Sequence, residues 1–230
     1  MTLLLLIRHG MTDATGERLT GWTPGIHLSE HGREQAERLA ERLARVPVAA
    51  VYSSPLERCR ETATPLAAAR DLRVRAREDL GEVRFGAWTG RSLKQLARTR
   101  LWRSVQDAPS SVRFPGGESL AEVQERMIRE LRRIAEAHPN ATVAVFSHGD
   151  PIRLAVAHFA GMHADLSQRL AIETASVSVV AVADGIPRVL KMNDTGDLAA
   201  LASHRPARKP RRATPRHATR RPATEQRGPK

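Results

Sequence analysis

Apolar residues fall along the chain in two kinds of pattern, and the two alternate. Unbroken apolar runs occupy residues 3–7, 48–52 and 143–146. Short continuous runs of this kind mark strands buried on both faces. Between them, apolar residues recur three or four apart. Ala36, Leu39, Ala40 and Leu43 share one face of a helix with Ser29 placed to cap it. A long helix is predicted over 120–137, and the amphipathic stretch 92–106 reads as one more. Ser53-Ser54-Pro55 offers a Ser cap and a Pro at the first helical position. The helix it opens carries Arg58 on its first turn, and Pro65 should kink or end it. Val74 to Ala76 is a short strand, a further helix opens at Asp150-Pro151, and strands over 176–183 and 188–192 close the pattern around a turn at Asp184-Gly185. This alternation predicts an α/β fold: a three-layer sandwich with a mainly parallel central sheet and helices on both faces.

Three polar or glycine-rich stretches interrupt the pattern. Residues 11–27 form a long loop carrying Thr20-Gly21-Trp22, residues 80–90 a second, and Phe114-Pro115-Gly116-Gly117-Glu118-Ser119 a turn. The end of the chain departs further. Residues 203–230 hold ten of the 37 Lys and Arg against one acid, Glu225, so most of the net charge of +12 belongs to this Pro/Arg-rich segment. The pattern divides the chain into a domain over 1–202 and a disordered basic tail over 203–230. Two readings stay open for the tail: a solvated extension, or weak, salt-sensitive contact with nucleic acid or another polyanion.

The N-terminal apolar run is too short to span a membrane and lacks the features of a signal peptide. One cysteine, Cys59, excludes an intrachain disulfide. A cytoplasmic protein without membrane contact is expected.

Two of the buried strands end alike, in Arg8-His9-Gly10 and Ser147-His148-Gly149. Side chains at the C-terminal ends of central strands sit where α/β folds bind ligands, so two imidazoles should converge there. Arg8 and Arg58 suit a phosphate dianion, because guanidinium makes paired, charge-assisted hydrogen bonds to its oxygens. A neutral imidazole beside that phosphate can attack phosphorus. A carboxylic acid such as Glu82 can protonate the departing alkoxide. A metal bound by His9 and His148 is the weaker reading, since two flanking arginines oppose a cation.

Taken together, these residues resemble the histidine phosphatase superfamily, with its phosphoglycerate mutase-like fold. The resemblance covers about residues 3 to 195. Leu6-Ile7-Arg8-His9-Gly10 is similar to its defining motif, and Ser53 through Ala63 to its second, with Arg58 at the arginine. Leu80-Gly81-Glu82 with Phe85-Gly86 and Trp88-Thr89-Gly90 resembles the proton-donor motif. Gly116-Gly117-Glu118-Ser119 and Ser147-His148-Gly149 complete the order.

The resemblance implies His9 as nucleophile, Glu82 as acid and base, and Arg8, Arg58 and His148 around the phosphate. It puts Thr15, Thr20, Gly21 and Gly149 in the substrate site. No metal or organic cofactor is expected, and the partner is a small phosphorylated substrate. Thr15 stands where the family usually has Asn, and Thr89 where Glu is common. Thr20-Gly21-Trp22 looks mutase-like, whereas residues 85–88 look like the phosphatase branch. A phosphomonoesterase acting through phospho-His9 is therefore favoured. A 2,3-bisphosphoglycerate-dependent phosphoglycerate mutase or other phosphomutase is the alternative. A non-catalytic phospho-ligand or polyanion-binding protein is the second. Oligomeric state has no signal in the sequence.

Overall fold

The computed structural model describes residues 1–182 and 186–196. The expected turn at Asp184-Gly185, the domain limit at 202 and the basic tail lie outside the described residues.

Six strands form one sheet in the order β3-β2-β4-β1-β5-β6. They are β1 (Thr2–Arg8), β2 (Val48–Ser53), β3 (Val74–Ala76), β4 (Thr142–Ser147), β5 (Val177–Val182) and β6 (Arg188–Asp194). The first four run parallel, and β5 and β6 add antiparallel pairings on one side. The sheet is thus parallel through the half that carries the two His-Gly endings and mixed beyond it.

Burial on both faces explains the unbroken apolar runs. Leu4 and Leu6 of β1, with Val143 and Val145 of β4, pack against α5 (Leu120–Ala137) and α6 (Gly149–Phe159). Leu5 and Ile7, with Ala144 and Phe146, face α1 (Glu30–Arg42) and α2 (Glu57–Ala68). Alternate side chains of one strand therefore enter different cores, and no position is left for a polar residue. The three-layer sandwich follows directly.

A third apolar cluster lies outside the sandwich. Val83, Phe85, Trp88, Leu96, Val105 and Phe114 pack with Leu154 of α6. This cluster organises the segment between β3 and α5, which holds two short helices, α3 (Leu93–Leu96) and α4 (Arg100–Asp107).

Three local expectations need correction. Residues 92–106 are not one helix: Ser92 caps α3 and Thr99 caps α4, accepting from the amides of Gln95 and Trp102. A mid-segment threonine hydroxyl restarts the chain where periodicity alone would continue it. Ser54 does not cap α2, whose N-cap is Leu56 without a side-chain bond. Its hydroxyl is used as described below. Pro65 does not end α2, which runs on to Ala68. Ser29 caps α1 as its position predicts, and Ser119, read only as part of a turn, caps α5 in a reciprocal capping box with Glu122.

Candidate active site

Strands β1 and β4 are parallel neighbours, with Arg8 opposite Ser147. The residues that follow, His9 and His148, are therefore brought together, their ring centroids 5.2 Å apart. Both rings are buried.

The chain leaves β1 against the start of α1 at the closest backbone approach in the site. A Cβ on Gly32 would lie 2.0 Å from the Met11 carbonyl oxygen, so only glycine fits. The Gly10 amide donates to Thr62 Oγ1 at 2.9 Å, and Thr62 donates to the Arg58 carbonyl at 2.6 Å. The segment bearing His9 is thereby fixed to α1 and to the first turns of α2.

His9 Nδ1 lies 2.7 Å from the Gly10 carbonyl oxygen. That oxygen can only accept, so Nδ1 carries the proton and Nε2 keeps its lone pair. Burial first, then the charges of Arg58 and Arg8, hold the imidazole well below its ordinary pKa near 6.5. His9 is thus neutral, with one free basic nitrogen.

His148 is engaged at both nitrogens. Arg58 Nη2 lies 3.1 Å from Nδ1, and Ser54 Oγ lies 2.8 Å from Nε2. A guanidinium only donates, so Nδ1 accepts and Nε2–H donates to Ser54. The same Ser54 oxygen also accepts from the Leu56 amide at 3.3 Å, so it serves the start of α2 and His148 together. Burial and then Arg58 also push His148 well below the usual imidazole range.

Arg58 is a fully buried arginine on the first turn of α2. Besides His148, its Nη2 donates to the Gly21 carbonyl at 2.9 Å. Arg8 donates through Nη1 to the Ile172 carbonyl at 2.6 Å. Arg8 Nε, Arg58 Nε and Arg58 Nη1 are buried and have no hydrogen-bond partner. Three orphaned cationic donors are costly unless an anion completes them. Beside them α6 begins at Gly149 with no side-chain cap, leaving first-turn amides without a side-chain acceptor.

Glu82 closes the site from the loop after β3. Its side chain is 15% exposed, and Oε2 lies 3.8 Å from His148 Nδ1, too far for a hydrogen bond. Burial, followed by the charge of Asp150, raises the carboxyl to about pKa 7. Arg58, the Val83 amide and Arg8 oppose the rise without cancelling it.

The loop is clamped from behind. Arg126 of α5 donates to the carbonyls of Asp79, Gly81 and Glu82 at 2.8, 2.9 and 2.9 Å. Its other donors pair with both oxygens of Glu118 at 2.9 and 3.1 Å. Trp22 Nε1 donates to the Glu82 carbonyl at 2.6 Å, and its ring lies so close to Gly81 that a Cβ there would be 2.2 Å away. Ser147 Oγ donates to the Leu80 carbonyl at 2.7 Å, tying the loop to the end of β4.

The remaining expected residues are also here. A cleft of about 230 Å³ is lined by Arg8, His9, Thr15, Thr20, Glu82 and Gly149, among others. Thr15 lines it with its hydroxyl already bonded to Thr12 Oγ1 at 2.9 Å. Gly21 takes part through its carbonyl, on Arg58. Cys59 is buried with Sγ 3.4 Å from His148 Nε2, and burial pushes its thiol up to about pKa 12. Among the described residues no three His, Cys, Asp or Glu side chains form a group that could hold a metal ion.

Sequence reasoning missed Ser54, Thr62, Arg126, Asp150 and Arg153 as site residues. Asp150 and Arg153 line the cleft as an ion pair. Their spacing of three on one helix, just after His148, was the available signal.

The profile of the histidine phosphatase superfamily (branch 1) matches residues 4–195. A bifunctional protein of Mycobacterium tuberculosis is 37% identical over 204 residues, 86% of this chain and 55% of its own length. The chain thus spans about half of that relative. Phosphoserine phosphatase 1 of Hydrogenobacter thermophilus is 32% identical over 205 residues, covering 85% of this chain and 93% of its own. Among solved structures, a mycobacterial glucosyl-3-phosphoglycerate phosphatase superimposes with a TM-score of 0.76 at 26% identity, covering 84% of this chain and 98% of its own.

Proposed function

Because the chain belongs to the histidine phosphatase superfamily, we propose that it hydrolyses small phosphomonoesters through a phosphohistidine on His9. The observation that carries this reading is a neutral His9 with one free ring nitrogen, beside three buried guanidinium nitrogens without a partner. Relatives named for hydrolysis of phosphoserine and glucosyl-3-phosphoglycerate support the same reaction class.

Arg8 and Arg58 hold the phosphate dianion, with His148 locked to Arg58 as part of the same pocket. His9 Nε2 attacks phosphorus, and the phosphorus–ester oxygen bond breaks. The departing alkoxide takes the proton of Glu82, which its raised pKa keeps protonated up to about neutral pH. The resulting carboxylate then takes a proton from water as that water attacks the phosphohistidine. Inorganic phosphate leaves, and His9 and Glu82 return to their first states. No step calls for a metal or an organic cofactor.

Steady-state hydrolysis of an aryl phosphate in excess EDTA, wild type beside His9→Ala, tests the proposal. Activity that survives EDTA and vanishes in the variant is expected. A wild type that is inactive, or a variant that retains activity, overturns it. Incubation with 3-phosphoglycerate separates the mutase alternative, which yields 2-phosphoglycerate where a phosphatase releases free phosphate.

A further inference from the structure

A second cavity of about 240 Å³ adjoins the cleft that would hold the phosphate. Leu19, Phe85, Trp102, Asp150 and Arg153 line both, so the two lie side by side. Their chemistry differs sharply. The first contains His9 and Arg8, and six of the ten residues lining the second are apolar, four of them aromatic.

Aromatic residues make up 3% of the chain. Yet four of its seven Phe and Trp line this one annex: Phe85, Trp88, Trp102 and Phe114. Trp88 stacks on Trp102 with centroids 6.3 Å apart and planes 28° apart. Phe114 meets Trp88 and Phe85 edge-on at 5.4 and 5.0 Å. Phe85, Trp88 and Phe114 are buried as the core of this segment. Trp102 and Leu19 pack on the same core but remain half-buried. Both line the annex as well as the phosphate cleft, Leu19 from the loop after β1 and Trp102 from α4.

The polar groups of the annex do not offer a second anion site. Arg153 is paired with Asp150 and also donates to the Leu170 carbonyl at 3.0 Å and to Gln168 Oε1 at 3.1 Å. Each charge of the pair is met by the other, so the annex presents little net positive charge to a carboxylate or second phosphate on the substrate.

We propose that this annex binds the alcohol part of the substrate, and that the substrate is a phosphomonoester whose alcohol carries a planar apolar ring. This rests on the hydrolase reading of the cleft. The ring would lie between Leu19 and Trp102, where stacking on indole and removal of apolar surface from water both favour it. A small polyanionic substrate would leave that apolar surface uncovered.

The test compares 2-phenylethyl phosphate with ethyl phosphate, two alkyl esters whose leaving alkoxides have similar basicity, so that the ring is the main difference. Wild-type kcat/KM should favour the phenylethyl ester by about tenfold or more, the scale at which apolar pockets discriminate. In Trp102→Ala, and separately in Leu19→Gln, the ratio should fall toward one. The second variant sits in a loop and keeps the test valid if the first fails to fold. Equal kcat/KM for the two esters, or a preference that survives both variants, overturns the annex as the alcohol site and leaves the hydrolase standing. Hydrolysis of neither ester overturns both.

Discussion

The two His-Gly strand ends are nearly the same in sequence and quite different in state. His9 and His148 follow paired positions of neighbouring parallel strands, are both buried, and are both held neutral by burial and the same arginine. What separates them is the partner of each nitrogen. His9 spends Nδ1 on a backbone carbonyl and keeps Nε2 free. His148 spends both nitrogens, one on Arg58 and one on Ser54. A nucleophile needs a free lone pair, and a pocket-forming residue needs to be held. Hydrogen-bond bookkeeping therefore supports the proposed division of roles, which burial and charge leave degenerate.

The strongest test of that assignment is to remove each ring. His9→Ala should lose at least ~10⁴-fold in kcat, as loss of a nucleophile does. His148→Ala, which removes a pocket group, should lose about 10²- to 10³-fold. Quenching the wild type with a labelled ester into alkaline denaturant, in which a phosphohistidine survives, should place the phosphoryl group on the peptide containing His9. Label on His148 would invert the comparison.

Glu82 extends the comparison to the leaving-group side. Glu82→Gln should cost about 10²- to 10⁴-fold on an alkyl phosphate, the usual worth of a general acid. In kcat/KM on nitrophenyl phosphate, which reports only the steps up to release of a leaving group that needs no proton, the cost should be much smaller. A smaller effect of the same shape is expected for Arg126→Met, about 10- to 100-fold on the alkyl ester through displacement of the Glu82 loop. Arg126 touches no reacting atom, so a loss that is equal on both esters would mark it as merely structural.

The pH profile separates the groups again. A protonated Glu82 is needed for alkoxide departure, so activity on alkyl esters should fall tenfold per unit above about pH 7. His9 is neutral from well below pH 6.5 upward and adds no limb near neutrality. The same shift acts on stability. The folded pKa of Glu82 lies above its unfolded value, so the folded state binds the proton more tightly, and stability is lost as pH rises through about 4.5 to 7. Glu82→Gln should therefore be more stable than the wild type at pH 8, by up to ~3 kcal/mol, and no more stable below about pH 4. Urea melts at the two pH values measure this.

The sheet strands and capped helices were legible because single-residue patterns determine them. Burial on both faces makes β1 and β4 unbroken apolar runs, and the hydroxyl of Ser29 marks where α1 begins. Residues 92–106 were not, because Thr99 looks like an ordinary position in an amphipathic run until its hydroxyl is seen on the Trp102 amide. Ser54 was misread for the converse reason. A serine before proline is a good cap by local rules, but here its oxygen meets only the Leu56 amide ahead of the helix, and its shorter bond is to a residue 94 positions away. His9, Arg8, Arg58, Glu82 and His148 could be singled out from the sequence, since each ends a strand, opens a helix or sits in a recognisable motif, and the fold brings them together. Arg126 was not, because in mid-helix it carries the periodicity of a solvent-facing charge. Its role exists only through the loop that folds over it.

Cys59 gives the site one further property. Its sulfur lies against His148, a position where a thiolate would be reactive, but burial keeps the thiol protonated. Protonated thiols are poor targets for peroxide and alkylating agents. The enzyme should thus stay active under oxidative conditions and in the presence of iodoacetamide, insensitive to reagents that silence phosphatases built on a nucleophilic cysteine.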